Sequence, residues 1–109
     1  MDLTKAQIKY VLGVYALGQE SSPSMAGLAK HMGVSKPSAH RMLTQLEEKG
    51  VVWRDAKKRF SFTEAGMGVA EALFEKRRAI EAALAGTVAL NPRLAERCAV
   101  AVLCEMSVP

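Results

Sequence analysis

Residues 24–63, SMAGLAKHMGVSKPSAHRMLTQLEEKGVVWRDAKKRFSFT, carry the strongest structural signal in the chain. Ser24 is the expected N-cap of the first helix in this stretch, and Gly33 and Ser35 are separated only by Val34. A glycine after a helix tolerates the left-handed conformation that ends it, and a serine at an N-cap accepts a hydrogen bond from an early backbone N–H. Pro37 falls in the first turn of the next helix, where its missing donor costs nothing. The stretch therefore predicts two helices joined by a tight turn, which is a helix-turn-helix.

The second of these helices is amphipathic. Ala39, Met42, Leu43 and Leu46 recur at helical spacing and predict a buried stripe. The opposite face carries only uncharged polar and basic side chains: Lys36, Ser38, His40, Arg41, Thr44 and Gln45. A recognition helix contacts DNA with such N-terminal turns, although any amphipathic helix has a polar face. The segment that follows the helix favours the first interpretation.

A short hairpin is predicted after Gly50. Residues 51–53 are β-branched and aromatic, residues 54–59 form a charged turn, and residues 60–63 alternate as a strand does. Four basic side chains lie in the turn: Arg54, Lys57, Lys58 and Arg59. Basic residues also protect exposed edge strands, but a hairpin directly after a capped, acid-poor helix has the order of a winged helix-turn-helix.

The charge of the chain is concentrated in this region. Residues 30–59 contain eight basic and three acidic side chains, a net charge of +5 in a chain whose total is +4. A local basic excess is the electrostatic footprint of phosphate contact. A solvated basic surface is the alternative, and the charge distribution alone does not decide between the two.

Further helices are expected on both sides of this region. Thr4 and Gln7 have the spacing of a capping box for a first helix that fades near residues 18–20. Thr63 caps a fourth helix that runs to about residue 84 and is expected to end at Gly86. Asn91 and Pro92 then predict the start of a fifth helix.

The fifth helix is apolar around most of its circumference, which a small domain cannot bury alone. A subunit interface solves this problem. The predicted fold is thus mostly α with a small β-hairpin wing. Residues 1–63 form the winged helix-turn-helix, and residues 64–109 form dimerisation helices continuous with it.

Length and composition set further bounds. A chain of 109 residues has room for one domain, and no apolar run reaches transmembrane length. The two cysteines, Cys98 and Cys104, lie six residues apart and do not share a helix face, so free thiols and a cytoplasmic location are expected.

His31 and His40 have no nucleophile or carboxylate beside them, and no glycine-rich phosphate loop occurs. An enzyme is not expected.

Several stretches resemble the diphtheria toxin repressor family of metal-dependent bacterial repressors, which includes the manganese transport regulators. They are TKAQIKYVLGVYAL (4–17), GLAKHMGVSKPSAHRMLTQLEEKGVV (27–52), FTEAG (62–66) and KRRAIEAAL (76–84). The resemblance implies a dimeric repressor on a palindromic operator, with DNA binding activated by Fe²⁺ or Mn²⁺.

The metal ligands implied by the resemblance are mostly absent. Its positions fall on Lys9, Leu12, Arg77, Val100, Leu103 and Cys104, of which only Cys104 has a metal-binding group. Arg77 and Glu81, at positions i and i+4, have the spacing that permits an ordinary ion pair. No cofactor is therefore expected. The weak candidates for a rearranged Mn, Fe or Zn site are Cys104, Cys98, Glu96 and Glu105.

Three functions follow from the sequence. The favoured one is a sequence-specific repressor that binds double-stranded DNA as a homodimer without the family's metal switch. Two sets of residues divide the contacts with DNA. Base readout is assigned to Ser38, His40, Arg41 and Gln45, and backbone contact to Lys36, Thr44, Arg54, Lys57, Lys58 and Arg59. The alternatives are a Mn²⁺- or Fe²⁺-dependent repressor with a rearranged metal site, and a winged-helix module for protein interaction.

Overall fold

The computed structural model describes residues 2–18, 24–57, 59–88 and 92–107, which form five helices and one two-stranded antiparallel sheet. The predicted mostly α, winged helix-turn-helix fold is confirmed. The elements in chain order are α1 (Lys5–Gly18), α2 (Met25–Met32), α3 (Lys36–Glu48), β1 (Val52–Arg54), β2 (Phe60–Phe62), α4 (Glu64–Val88) and α5 (Pro92–Ser107).

The caps of α2 and α3 form as the sequence predicts. Ser24 Oγ accepts from Gly27 N at 3.1 Å, and Ser35 Oγ accepts from Ser38 N at 3.3 Å. Gly33 ends α2 in the left-handed region with φ of 69°. Because these stop and start signals are two residues apart, α2 and α3 join through a tight turn.

The buried core draws side chains from all five helices and both strands. Leu28, Leu43 and Leu46 are fully buried under α1, and the predicted stripe of α3 is confirmed at Ala39, Leu43 and Leu46. Leu103 and Cys104 of α5 belong to the same buried cluster. The segment after residue 63 therefore shares a core with the helix-turn-helix.

The hairpin formed by β1 and β2 packs against the end of α3. Val52 pairs with Phe62 and Arg54 with Phe60, so Val52 and Phe60 face the core while Trp53 is exposed. Arg54, expected in the turn, is the last residue of β1. Asp55 closes the turn, because its Oδ1 accepts from Lys57 N at 2.9 Å and from Arg59 N at 3.0 Å. Lys58 lies outside the described residues.

The start of α4 is held against the hairpin. Thr63 caps the helix as predicted, since its Oγ1 accepts from Gly66 N at 2.9 Å. A Cβ on Gly66 would lie 1.8 Å from the carbonyl oxygen of Val51. Only glycine allows this close approach between the helix and the residue before β1.

The end of α4 differs from the prediction. The helix continues through Gly86 to Val88 and has 25 residues. A glycine inside a helix costs only about 1 kcal/mol relative to alanine, and the alanines that precede Gly86 are strong helix formers. α4 packs along α5, which begins at Pro92 as expected. The predicted cap at Asn91 lies outside the described residues.

The outward surface of α5 is partly apolar. Val102 is 39% exposed, whereas Leu103 beside it is buried. Among the helices in the described ranges, none is both long enough and apolar enough to cross a membrane.

Candidate nucleic-acid interface

The polar face of α3 is the most exposed part of the helix-turn-helix. The predicted side chains Lys36, Ser38, His40, Arg41 and Gln45 are exposed, and Thr44 is half-buried. The structure therefore brings these residues together on one surface, where the N-terminal turns are free of carboxylates. Hydrogen bonds inside the protein modify what several of them can offer a ligand.

Arg54 folds back from the wing onto this face. Its Nη2 lies 2.9 Å from Glu47 Oε1 and 3.0 Å from Thr44 Oγ1, and its Nη1 lies 3.0 Å from His40 Nε2. The Arg54 side chain is 20% exposed. Glu47, which begins the acidic end of α3, is thus neutralised by an ion pair with the wing. The sequence alone did not predict this contact between β1 and α3.

Thr44 takes part in the same hydrogen-bond network. Its Oγ1 donates to the carbonyl oxygen of His40 at 2.9 Å while it accepts from Arg54. A hydroxyl has one proton to donate, so Thr44 has none left for a phosphate oxygen in this arrangement. The sequence assigned Thr44 and Arg54 to contact with the DNA backbone. In the structure, the hydrogen bond between these two side chains links α3 to β1.

Gln45 is joined to the first helix. Its Oε1 accepts from Gln7 Nε2 at 3.1 Å, and Gln7 Oε1 accepts in turn from Lys49 Nζ at 2.7 Å. The Gln45 amide N–H groups remain available as donors. Gln7 is 4% exposed and also forms the predicted capping box with Thr4.

The exposed basic side chains in the described part of this surface lie along α3 and at the wing turn. Lys36 is exposed at the start of α3, and Lys57 and Arg59 are exposed at the wing turn. Arg41 is exposed between them on α3. The arrangement places an arginine and polar donors at the centre and positive charge at the flanks, which suits base contact in a groove with phosphates on either side.

A cavity of about 280 Å³ lies behind this surface, between α1, α2, α4 and α5. Four of the positions that the resemblance assigns to a metal line it: Lys9, Leu12, Arg77 and Val100. Arg77 donates to Glu96 Oε1 at 3.0 Å, so its ion-pair partner in the structure is Glu96 on α5 and not Glu81. The long Arg77 side chain extends from α4 to α5, and its ion pair with Glu96 links the two helices.

The donor set around this cavity does not suit a divalent cation. Two cationic side chains line it, Glu96 is neutralised by Arg77, and Glu105 is paired with Lys5. Within residues 2–18, 24–57, 59–88 and 92–107, no three His, Cys, Asp or Glu side chains form a group able to hold a metal ion. Divalent metals need several converging oxygen, nitrogen or sulfur donors.

The cysteines have different surroundings. Both are free, with Cys98 half-buried and Cys104 buried. The Cys104 thiol donates to the carbonyl oxygen of Lys5 at 3.9 Å, and burial raises its pKa above the ordinary value. A raised pKa disfavours the thiolate, which is the form that binds metals.

A sequence model of the MarR family matches residues 3–59, more than half of the chain. The chain belongs to the MarR family. The matched range contains the helix-turn-helix, β1 and the wing turn that carry the candidate interface. Membership of this family supports a role as a DNA-binding transcription regulator. No curated protein sequence matches this chain.

Solved structures share its fold. The metal-dependent transcriptional regulator MtsR superposes with a TM-score of 0.80 at 23% identity, over 89% of this chain and 46% of its own. The manganese regulator SloR has a TM-score of 0.70 at 24% identity, over 97% and 54%. MepR of S. aureus, in complex with DNA, has a TM-score of 0.67 at 23% identity, over 96% and 77%. This MarR-family chain spans about half the length of the two metal regulators.

Proposed function

We propose that this MarR-family chain is a sequence-specific repressor that binds double-stranded DNA as a homodimer. The observation that supports the proposal best is the exposed face of α3. Residues 36–46 carry His40, Arg41 and Gln45 without a carboxylate, and Arg54 neutralises Glu47 at the far end of the helix. A face with this composition suits the major groove, which presents acceptors on guanine and thymine.

The roles of the residues follow from their hydrogen bonds. We assign base contact to Ser38, His40, Arg41 and Gln45, among which Arg41 has the fork geometry for guanine. Phosphate contact falls to Lys36 and to the wing residues Lys57, Lys58 and Arg59. Arg54 and Thr44 connect the wing to α3, so we assign them a supporting position instead of a primary phosphate contact.

A homodimer is supported by the second half of the chain. Val102 exposes an apolar side chain on α5, and α4 extends over 25 residues beside it. We propose that residues 64–109 pair with the same segment of a second copy. Two recognition helices related by a two-fold axis would read a palindromic operator.

We propose that DNA binding needs no metal switch. The support is the replacement of ligand positions by Lys9, Leu12 and Arg77, which together offer no metal-binding donor and add two positive charges. The likeness to metal-dependent regulators then reflects the shared fold. Free thiols and a DNA ligand agree with action in the cytoplasm, where the chromosome of a bacterial cell lies.

Selection of bound sequences from a random DNA pool, with and without Mn²⁺, tests these statements together. The expected result is one palindromic sequence, enriched equally in both conditions. Affinity for that sequence should then fall steeply with salt, with a slope of about −0.9 for each phosphate neutralised. Failure to enrich any sequence, together with a flat salt dependence, would favour the protein-interaction module. Enrichment only with Mn²⁺ would favour a rearranged metal site.

A further inference from the structure

The contact between Arg54 and His40 has a chemical consequence for how α3 reads DNA. Arg54 Nη1 lies 3.0 Å from His40 Nε2. An arginine side chain stays protonated and carries only donors, so His40 Nε2 must be the acceptor in this pair. The proton of the neutral imidazole then resides on Nδ1, which is the reverse of the tautomer that free histidine favours.

The geometry around Arg54 keeps this contact in place. Its guanidinium is held by Glu47 through Nε at 3.3 Å and Nη2 at 2.9 Å, and Thr44 accepts a third hydrogen bond. Four of the five N–H donors are therefore engaged inside the protein, counting the contact with His40. Thr44 also binds the backbone carbonyl of His40, so the network holds both the ring and the main chain of that residue.

Lys57 and Arg59, the other basic residues of the wing that the structure describes, do not share this arrangement. Lys57 and Arg59 are exposed at the turn, and their backbone N–H groups bind Asp55. Their side chains can reach a phosphate without breaking any of the contacts between the hairpin and α3. Lys57 is therefore the matched comparison for Arg54, because it supplies a wing charge without touching the recognition helix.

We propose that Arg54 is a positioning residue that fixes the tautomer of His40 and so sets a base preference. His40 then offers only an Nδ1–H donor to the major groove. Guanine presents two acceptors there, whereas cytosine presents a donor, so His40 selects guanine over cytosine at its position. This inference rests on the proposed DNA-binding function, which it deepens by assigning one specificity determinant to the wing.

The tautomer is measured on the free protein by ¹⁵N NMR of the imidazole nitrogens. In the wild-type protein Nε2 should give the signal of an unprotonated nitrogen and Nδ1 that of a protonated one. In Arg54→Ala the population should shift toward the Nε2–H form. Arg54→Lys is the second variant, because a lysine retains a charge beside Glu47 but lacks the fork that binds three partners at once. Lys57→Ala should leave the tautomer unchanged.

The base preference is measured by selection from a random DNA pool with the same proteins. His40→Ala identifies the position at which guanine preference is lost. Arg54→Ala and Arg54→Lys should each reduce the preference at that position by roughly fivefold, the effect of one hydrogen bond. Lys57→Ala should weaken binding to all sequences without changing the preference.

Two outcomes would overturn the inference. One is an Nε2–H tautomer of His40 in the wild-type protein. The other is an unchanged guanine preference in both Arg54 variants, which would make Arg54 an ordinary structural or phosphate contact. Since the tautomer is read without DNA, a wild-type protein that shows the Nδ1–H form but selects no sequence would refute the proposed function separately.

Discussion

The side chain of Gln7 donates a hydrogen bond of 3.1 Å from Nε2 to Oε1 of Gln45, and this contact joins α1 to the recognition helix. Gln7 is almost fully buried, and its Oε1 accepts from Lys49 Nζ at 2.7 Å and from Thr4 N at 3.0 Å. A buried amide with these partners has its polar atoms satisfied. The recognition helix is therefore fixed from one side by α1 and from the other by the wing.

Replacing Gln7 by alanine should destabilise the protein. The change removes the capping box and the hydrogen bonds of Gln7 to Gln45 and Lys49, which costs about 1–3 kcal/mol in the free energy of unfolding. Urea denaturation measures the loss. A double-mutant cycle with Gln45→Ala should give a coupling of about 0.5–1.5 kcal/mol, and purely additive effects would show that the two amides do not interact.

Gly66→Ala should be strongly destabilising. The new Cβ would lie 1.8 Å from Val51 O, so the backbone of either α4 or the hairpin must move. Overpacking against backbone costs about 3 kcal/mol, at the upper end of the usual range. Gly68→Ala is the matched control, because no atom lies within 4 Å of its Cβ position and alanine should stabilise α4 by about 0.5–1 kcal/mol. Equal unfolding midpoints for the two variants would contradict the close approach.

Arg41→Ala should relax sequence preference. Loss of a bidentate guanine contact costs about 1–3 kcal/mol at one base pair and little elsewhere. Lys57→Ala, a phosphate contact on the wing, should instead weaken binding to every sequence and reduce the salt slope by about 1. Both effects are measured by titrating a selected operator and its single-base variants at several salt concentrations. An operator that remains equally well discriminated by Arg41→Ala would remove Arg41 from base readout.

Val102→Lys should disrupt the proposed homodimer while the fold is retained. A charge placed on the exposed apolar surface of α5 opposes its burial between two copies. Light scattering should report a monomer, and affinity for a palindromic operator should fall by roughly a hundredfold as the second half-site is lost. Val34→Lys is a control for oligomeric state, because Val34 has nearly the same exposure but lies in the turn before α3. A dimer that survives Val102→Lys would place the interface elsewhere.

Mn²⁺, Fe²⁺ and Zn²⁺ should neither bind stoichiometrically nor tighten DNA binding. Lys9 and Arg77 repel a divalent ion, and Glu96 and Glu105 are already paired. A metal present at 100 times its dissociation constant would add about 2.7 kcal/mol of stability, which thermal unfolding detects readily. Calorimetric titration of EDTA-treated protein provides the direct measurement. Saturable binding accompanied by higher operator affinity would establish a metal-dependent regulator.

The local elements of the fold followed from the sequence because their signals act over a few residues. Ser24, Ser35 and Thr63 cap the helices that they were expected to cap, and Gly33 ends α2 in the left-handed region. The buried stripe of α3 also follows from its periodicity. The end of α4 did not follow from the sequence, because Gly86 lies within a helix that packs along α5. Tertiary packing there outweighs the weak preference of a single glycine.

The candidate interface also has some features that followed from the sequence and others that depended on the tertiary structure. Its location on α3 and the wing, and the residue types that it presents, were determined by the sequence, because a 3.6-residue period decides which side chains share a helix face. Only the tertiary structure decided which of them are free to meet DNA. Arg54 turns onto His40, Thr44 and Glu47, Gln7 binds Gln45, and Arg77 reaches Glu96 instead of Glu81. These contacts join separate elements, and a long side chain chooses its partner by where the folded chain places the nearest complementary group.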